Sequence, residues 1–184
     1  MTHADKKKSK HEAERHYSDV RRLARQELEN ELRQLLSLPI ELHELSPEDA
    51  QEADSWTANL PLGQRPGWSW EQEQRRFRVQ RPRRFELALK VDSLLCGVAL
   101  GRISDRRVVI SVHYISSRPS NHPLKGFVLD LTARYVEFLG VKLGCVEISI
   151  ERPVDALLDT YKAAGFSREV KRGSRVVRLR KVLR

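Results

Sequence analysis

The sequence predicts an α/β fold, a mixed and mostly antiparallel sheet flanked by helices, with an extra amphipathic helix at the amino terminus. Three observations lead there. Residues 11–36 contain no glycine or proline and repeat apolar positions at helical spacing. Residues 85–115 alternate in runs rich in β-branched side chains, broken by two short turns, which is the pattern of a three-stranded antiparallel meander. From Val108 onward the chain reads strand, loop, helix, strand, helix and a closing hairpin. At 184 residues and 40% hydrophobic content, it can bury one core without disulfide or metal staples.

The elements follow in order. Residues 1–10 carry four lysines and almost no apolar side chains, and are expected to form a disordered, solvated start. Residues 11–38 form a helical extension. Val20, Leu23, Ala24, Leu28, Leu32, Leu35 and Leu36 share one side of it, and Ser37 to Pro39 breaks it. Ile40 to Leu45 is a short strand. Ser46-Pro47-Glu48-Asp49 opens a helix with serine at the cap, proline in the first position and acids in the first turn; it fades near Asn59, before Pro61, Gly63, Pro66 and Gly67. Trp68 and Trp70 lead into a segment crowded with Arg75, Arg76, Arg78, Arg81, Arg83 and Arg84, whose periodicity does not define an element. Strands Phe85–Val91, Leu94–Ile103 and Val108–Ile115 form the meander. A helix from Phe127 to Leu139, a strand from Cys145 to Ile150, a helix from Pro153 ending near Gly165, and a hairpin turning at Arg172-Gly173-Ser174 complete the chain.

Composition limits the function classes. The net charge of +9, concentrated in the arginine segment and in the carboxyl-terminal hairpin, favours a polyanionic or phosphate-bearing partner. No apolar run approaches the ~20 residues of a membrane helix, and the basic start lacks the hydrophobic region of a signal peptide, so a cytoplasmic protein is expected. Cys96 and Cys145 lie in apolar runs without metal-ligand spacing and read as reduced core thiols. No zinc spacing, nucleophile elbow or Walker ending is present, and no metal is expected.

The richest segment is Asn121-His-Pro-Leu-Lys-Gly-Phe-Val-Leu-Asp-Leu131, where a strand gives way to a helix through a loop. A helix opening there aims unpaired backbone N–H groups and the positive end of its dipole at whatever lies above the loop. A second motif is Tyr161-Lys-Ala-Ala-Gly165-Phe166, a tyrosine separated by three residues from Gly-Phe. With the element order of residues 39–184, these motifs resemble the GCN5-related N-acetyltransferase family over the last three quarters of the chain.

The resemblance implies acetyl-coenzyme A as co-substrate. It implies a fourth strand splayed from the fifth, with the pantetheine in the gap on the backbone of Ile115, Ser116 and Ser117. The pyrophosphate would then sit over Asn121, His122, Leu124, Lys125, Gly126 and Phe127. Asn121 stands where the family has glutamine or arginine, Leu124 where it has its first glycine, and Val154 where it often has asparagine. Tyr161 takes the family's role of protonating the departing thiolate, for which a phenol of ordinary pKa near ~10 is suited.

Glu147 and His113 are the candidates for the base that deprotonates the acceptor amine; strand alternation aims His113 and Tyr114 at opposite faces. The acceptor is a primary amine, and the basic segments favour one carried on an anionic partner such as aminoacyl-tRNA, docked by Arg75, Arg76, Arg78 and the hairpin. The alternative is a catalytically degenerate module that binds nucleic acid or a protein, and residues 11–36 are a candidate surface for dimerisation or a partner.

Overall fold

The computed structural model describes residues 3–36, 38–58, 66–80 and 83–183. Its elements are α1 (His3–Leu35), β1 (Ile40–His43), α2 (Pro47–Ser55), α3 (Trp70–Gln80), β2 (Arg84–Val91), β3 (Leu94–Ile103), β4 (Val109–Ser117), α4 (Val128–Leu143), β5 (Glu147–Glu151), a 3-10 turn (Asp155–Leu157) running into α5 (Leu158–Ala163), β6 (Arg168–Arg172) and β7 (Arg175–Val182). The strands form one sheet in the order β1-β2-β3-β4-β5-β7-β6. Every neighbouring pair is antiparallel except β4 and β5.

Two cores flank the sheet. On one side, Tyr17, Ala24, Leu28 and Leu32 of α1 and Val128, Tyr135, Val136 and Leu139 of α4 pack with Leu87, Ile110, Ile148 and Leu179. On the other, Ala50 and Ala53 of α2 and Trp70 and Phe77 of α3 pack on Ala88, Val98 and Leu100. Ala24, Leu28 and Leu32 of the amphipathic face of α1 are thus used inside the molecule, where α1 packs against α4 and β1, while Leu23, Leu35 and Leu36 of the same run stay exposed. Arg21 is buried in that contact, paired with Glu14 at 2.9 Å and Glu44 at 3.4 Å and donating to the Arg84 carbonyl. The backbone of α1 begins at His3, so the helix takes in most of the lysine-rich start; alanine, lysine and glutamate are good helix formers and nothing there breaks the run.

The arginine segment is the helix α3. Its ion pairs Glu71–Arg75 and Glu73–Arg76 stand at helical spacing. Its amino terminus is capped from 16 residues away: the Asp54 carboxylate accepts the N–H groups of Trp70 at 2.6 Å and Glu71 at 3.2 Å. Ser46 and Asp49 form the capping box that starts α2. The fading of α2 near Asn59, the turns at Pro61 and Gly63, and Arg81 lie outside the described residues. Burial pushes the Cys145 thiol up to about 11 and raises Cys96 as well, so both are protonated core thiols.

Candidate active site

The sheet opens at one place. β4 pairs with β5 only from Val109 to Val112, opposite Glu147 to Ile150, while β4 continues along β3 as far as Ser117. The register with β3 slips where Leu100 faces Tyr114 and Gly101 faces Val112, leaving His113 as a bulged residue. Gly101 permits this close approach, since a Cβ there would lie 2.1 Å from the Ser111 carbonyl and 2.3 Å from the Phe85 ring. Beyond the bulge, Arg118 N–H bonds the Cys96 carbonyl at 2.9 Å. Alternation along an antiparallel ladder then directs the backbone of Ser116 and Tyr114 to β3, and turns the N–H and C=O groups of Ile115 and Ser117 into the gap. Of the three strand residues expected to line the gap, Ile115 and Ser117 turn their backbone groups into it, and the backbone of Ser116 is directed to β3.

The bulge also changes which way two rings point. His113 and Tyr114 both pack against Phe77, with ring centroids 5.6 and 6.2 Å away, and so share the α3 side of the sheet, contrary to simple alternation. Trp68 packs tilted against Tyr114 at 4.4 Å and edge-on against Trp70 at 5.2 Å, extending an aromatic wall beside the gap. Burial and the adjacent Glu73 push the Tyr114 phenol up.

The loop between β4 and α4 is organised around His122, which is buried and not solvent-facing. Its Nδ1 accepts the Leu124 N–H at 3.2 Å, its Nε2 lies 3.0 Å from the Ser117 hydroxyl, and its carbonyl accepts the Lys125 N–H. Phe127 N–H bonds the Leu124 carbonyl. Contrary to its expected place in a phosphate loop, Leu124 has its side chain buried in the core and its N–H already bonded. The open backbone groups lie instead at Gly126 and the first turn of α4. There the N–H groups of Val128, Leu129 and Asp130 have no partner four residues back in the helix, and the Phe127 cap supplies none. Gly126 has φ +88 and open space where a Cβ would stand, so an anion can approach its backbone. The exposed Lys125 and Asn121 flank this end.

Tyr161 is buried on α5. Burial raises its phenol above the ordinary value, and a hydrogen bond with the Val154 backbone partly offsets this. Val154 follows the end of β5 by three residues, so the Tyr161 hydroxyl reaches the same end of the sheet as the gap. The exposed Val154 side chain contributes nothing polar there. Gly165 closes α5 with φ +93, and a Cβ there would lie 2.9 Å from Lys181, which crosses over it. The left-handed backbone is the physical reason for glycine at this position.

Glu147 requires a correction as a base. It sits opposite Val109 at the start of β5, at the far end of that strand from the gap, between Arg168 at 3.5 Å and Arg180 at 3.3 Å. The carboxylate at the gap end of β5 is Glu151. Arg178 pairs with Glu151 at 2.6 Å, and Ser149 donates to it at 2.9 Å while standing 2.9 Å from the Ser111 hydroxyl. Burial raises the Glu151 carboxyl, but Arg178, Ser149 and nearby His113 together hold it below the usual range. Two parallel strands carry their functional side chains at their carboxyl ends, and that rule selects Glu151 over Glu147.

Of the arginines expected to dock a polyanion, Arg78 is engaged within the fold, gripping the fully buried Glu86 through both carboxylate oxygens at 2.7 to 3.1 Å. Arg75 and Arg76 pair with Glu71 and Glu73 at the surface of α3 and stay exposed. Among the described residues no helix is long and apolar enough to cross a membrane.

No protein-family model and no curated protein matches the sequence. Solved structures share the fold. A spermidine N-acetyltransferase SpeG chimera from Vibrio cholerae and hSSAT aligns over 78% of this chain and 95% of its own, at 16% identity and a TM-score of 0.58. Ard1 from Thermoplasma volcanium aligns over 78% and 97% at 12% identity and 0.58. The PaiA N-acetyltransferase from Thermoplasma acidophilum, solved in complex with coenzyme A, aligns over 78% and 98% at 20% identity and 0.54. The architecture is the acyl-coenzyme A N-acyltransferase fold that the sequence motifs resembled.

Proposed function

We propose that this protein is an acetyl-coenzyme A-dependent N-acetyltransferase acting on a primary amine. The observation that carries the reading is the gap between β4 and β5. Ile115 and Ser117 offer alternating N–H and C=O groups along one wall, matched to the amides of a pantetheine chain; the wall ends at the bare amino terminus of α4, matched to a pyrophosphate. Acetyl-coenzyme A supplies the thioester carbonyl that the amine attacks. Backbone N–H groups at the His113 bulge polarise that carbonyl, and Tyr161 protonates the leaving thiolate. His113, coupled electrostatically to Glu151, takes the amine proton in place of Glu147. Ionised Glu151 stabilises the imidazolium that results.

An anionic carrier for the amine draws its support from the hairpin tip rather than from α3. Arg172 and Arg175 are exposed and form no ion pair among the described residues. Calorimetric titration with acetyl-coenzyme A tests the main reading: saturable binding that Gly126→Glu abolishes supports it. Absence of binding at millimolar ligand leaves the non-catalytic module in front.

A further inference from the structure

We propose that one face of the β6–β7 hairpin is a track for single-stranded nucleic acid. The hairpin carries five arginines and two lysines, and the strand register sorts them by face. Val176 and Leu179 are buried in the core with α4, and their partners Lys171 and Glu169 share that face. Lys181 joins it, opposite the buried Ile148. On the other face Arg168 stands opposite Arg180 and Arg172 opposite Arg175, with Arg178 between the two pairs. All five arginines therefore point to the α3 side of the sheet, the side of His113 and Tyr114, and both lysines point away.

Among the described residues, two carboxylates of β5 pair with this face: Glu147 with Arg168 at 3.5 Å and Arg180 at 3.3 Å, and Glu151 with Arg178 at 2.6 Å. Five cations against two carboxylates leave three positive charges uncompensated, and Arg172 and Arg175 at the tip are exposed without an ion pair. The paired arginines also keep donors, since a guanidinium has several N–H groups and these pairs use one or two. Same-face residues recur about every 7 Å along a strand, so the arginines form a ladder that starts beside Glu147 and ends beyond the carboxyl end of β5, passing the gap. Guanidinium, not ammonium, has the fork that matches a phosphate. The face is continuous with β5 and β4 and is too broad to enter the groove of a duplex, which favours a single strand. Half-buried Trp68, tilted against Tyr114 on the same side, offers a ring to an unstacked base, which an acidic peptide would leave without a role. This deepens, and rests on, the reading of an anionic carrier for the amine: a strand lying on the ladder brings its end to the gap.

Fluorescence anisotropy of a labelled oligouridylate of about a dozen nucleotides, titrated with the full chain at several salt concentrations, tests this. Saturable binding is expected with a log–log salt slope of about −2.1 or steeper, three or more phosphates at about −0.7 each. Arg172→Gln with Arg175→Gln, at exposed positions, should flatten the slope by about 1.4 and weaken binding about tenfold or more near ~0.1 M salt. Lys162→Gln with Lys171→Gln removes the same charge from the opposite face, where both lysines pair with Glu169, and should leave the slope unchanged. No binding even at low salt, equal or tighter binding of an RNA duplex of the same length, displacement by polyglutamate at matched charge, or equal losses in the two double variants overturns the proposal. The titration needs no cofactor, so a protein that binds acetyl-coenzyme A but no oligouridylate overturns the track and leaves the acetyltransferase reading standing.

Discussion

Tyr161, the proposed general acid, is buried, which raises its pKa and keeps the proton on the phenol at neutral pH. Tyr161→Phe keeps the ring packing and removes only the hydroxyl. Turnover should fall by roughly ten- to a thousandfold with cofactor affinity nearly unchanged, read from steady-state kinetics beside calorimetry; equal turnover would assign the residue to packing. His122 supports a pH prediction. Burial, then the charges of Arg118 and Lys125, lower its pKa from 6.5, so the folded protein prefers the neutral ring whose Nδ1 accepts the Leu124 N–H. Its contribution is complete above pH 6.5 and is lost as pH falls toward the lower folded value. Acetyl-coenzyme A affinity should therefore decline over that acid range as the loop loosens, and His122→Gln should flatten the decline. A wild-type affinity that is constant from pH 7 to about 5 refutes this role for the ring.

Among the elements, α3 best separates charge that shapes the fold from charge that is offered to solvent. Arg75 and Glu71 are an exposed pair at helical spacing, of the kind worth at most a few tenths of a kcal/mol. Arg78 instead compensates Glu86, which is fully buried and also paired with Arg84 at 2.7 Å. Removing one partner of a buried pair costs about 3–5 kcal/mol, a figure that the remaining Arg84 contact reduces. Denaturant titration should show Arg78→Ala losing at least ~2 kcal/mol and Arg75→Ala within ~0.5 kcal/mol of wild type. Equal midpoints for the two variants would contradict the assignment. None of this was legible from the arginine run itself, because the partner of Arg78 lies on β2 and the cap of α3 comes from Asp54, both contacts that need the fold. By contrast the meander, α4 and the closing hairpin were legible, since their alternation and helical spacing are local. The gap was legible through its motifs, but which carboxylate reaches it depends on where β5 ends, so Glu147 and Glu151 were not distinguishable by type.

For the whole molecule, the question is whether α1 is an addition to an independent domain of residues 39–184 or a layer of that domain. The packing favours a layer. Tyr17, Ala24, Leu28 and Leu32 lie in the same core as α4 and the strands that form the gap, and the Glu29 carboxylate accepts the Leu42 N–H at 2.6 Å, fixing β1 at the sheet edge. Arg134 and Lys142 of α4 add ion pairs to Glu31 and Glu27. Each large apolar side chain buried there contributes about 1.5–3 kcal/mol, against a total stability for a domain of roughly 5–15 kcal/mol. Three such side chains are therefore comparable with the whole margin. Deleting residues 1–36 should leave a chain that neither unfolds cooperatively nor binds acetyl-coenzyme A, as judged by circular dichroism during denaturant titration and by calorimetry. A truncated chain that keeps the wild-type midpoint and cofactor affinity would make α1 a dispensable extension, and would return its apolar stripe to the role of a surface for a partner.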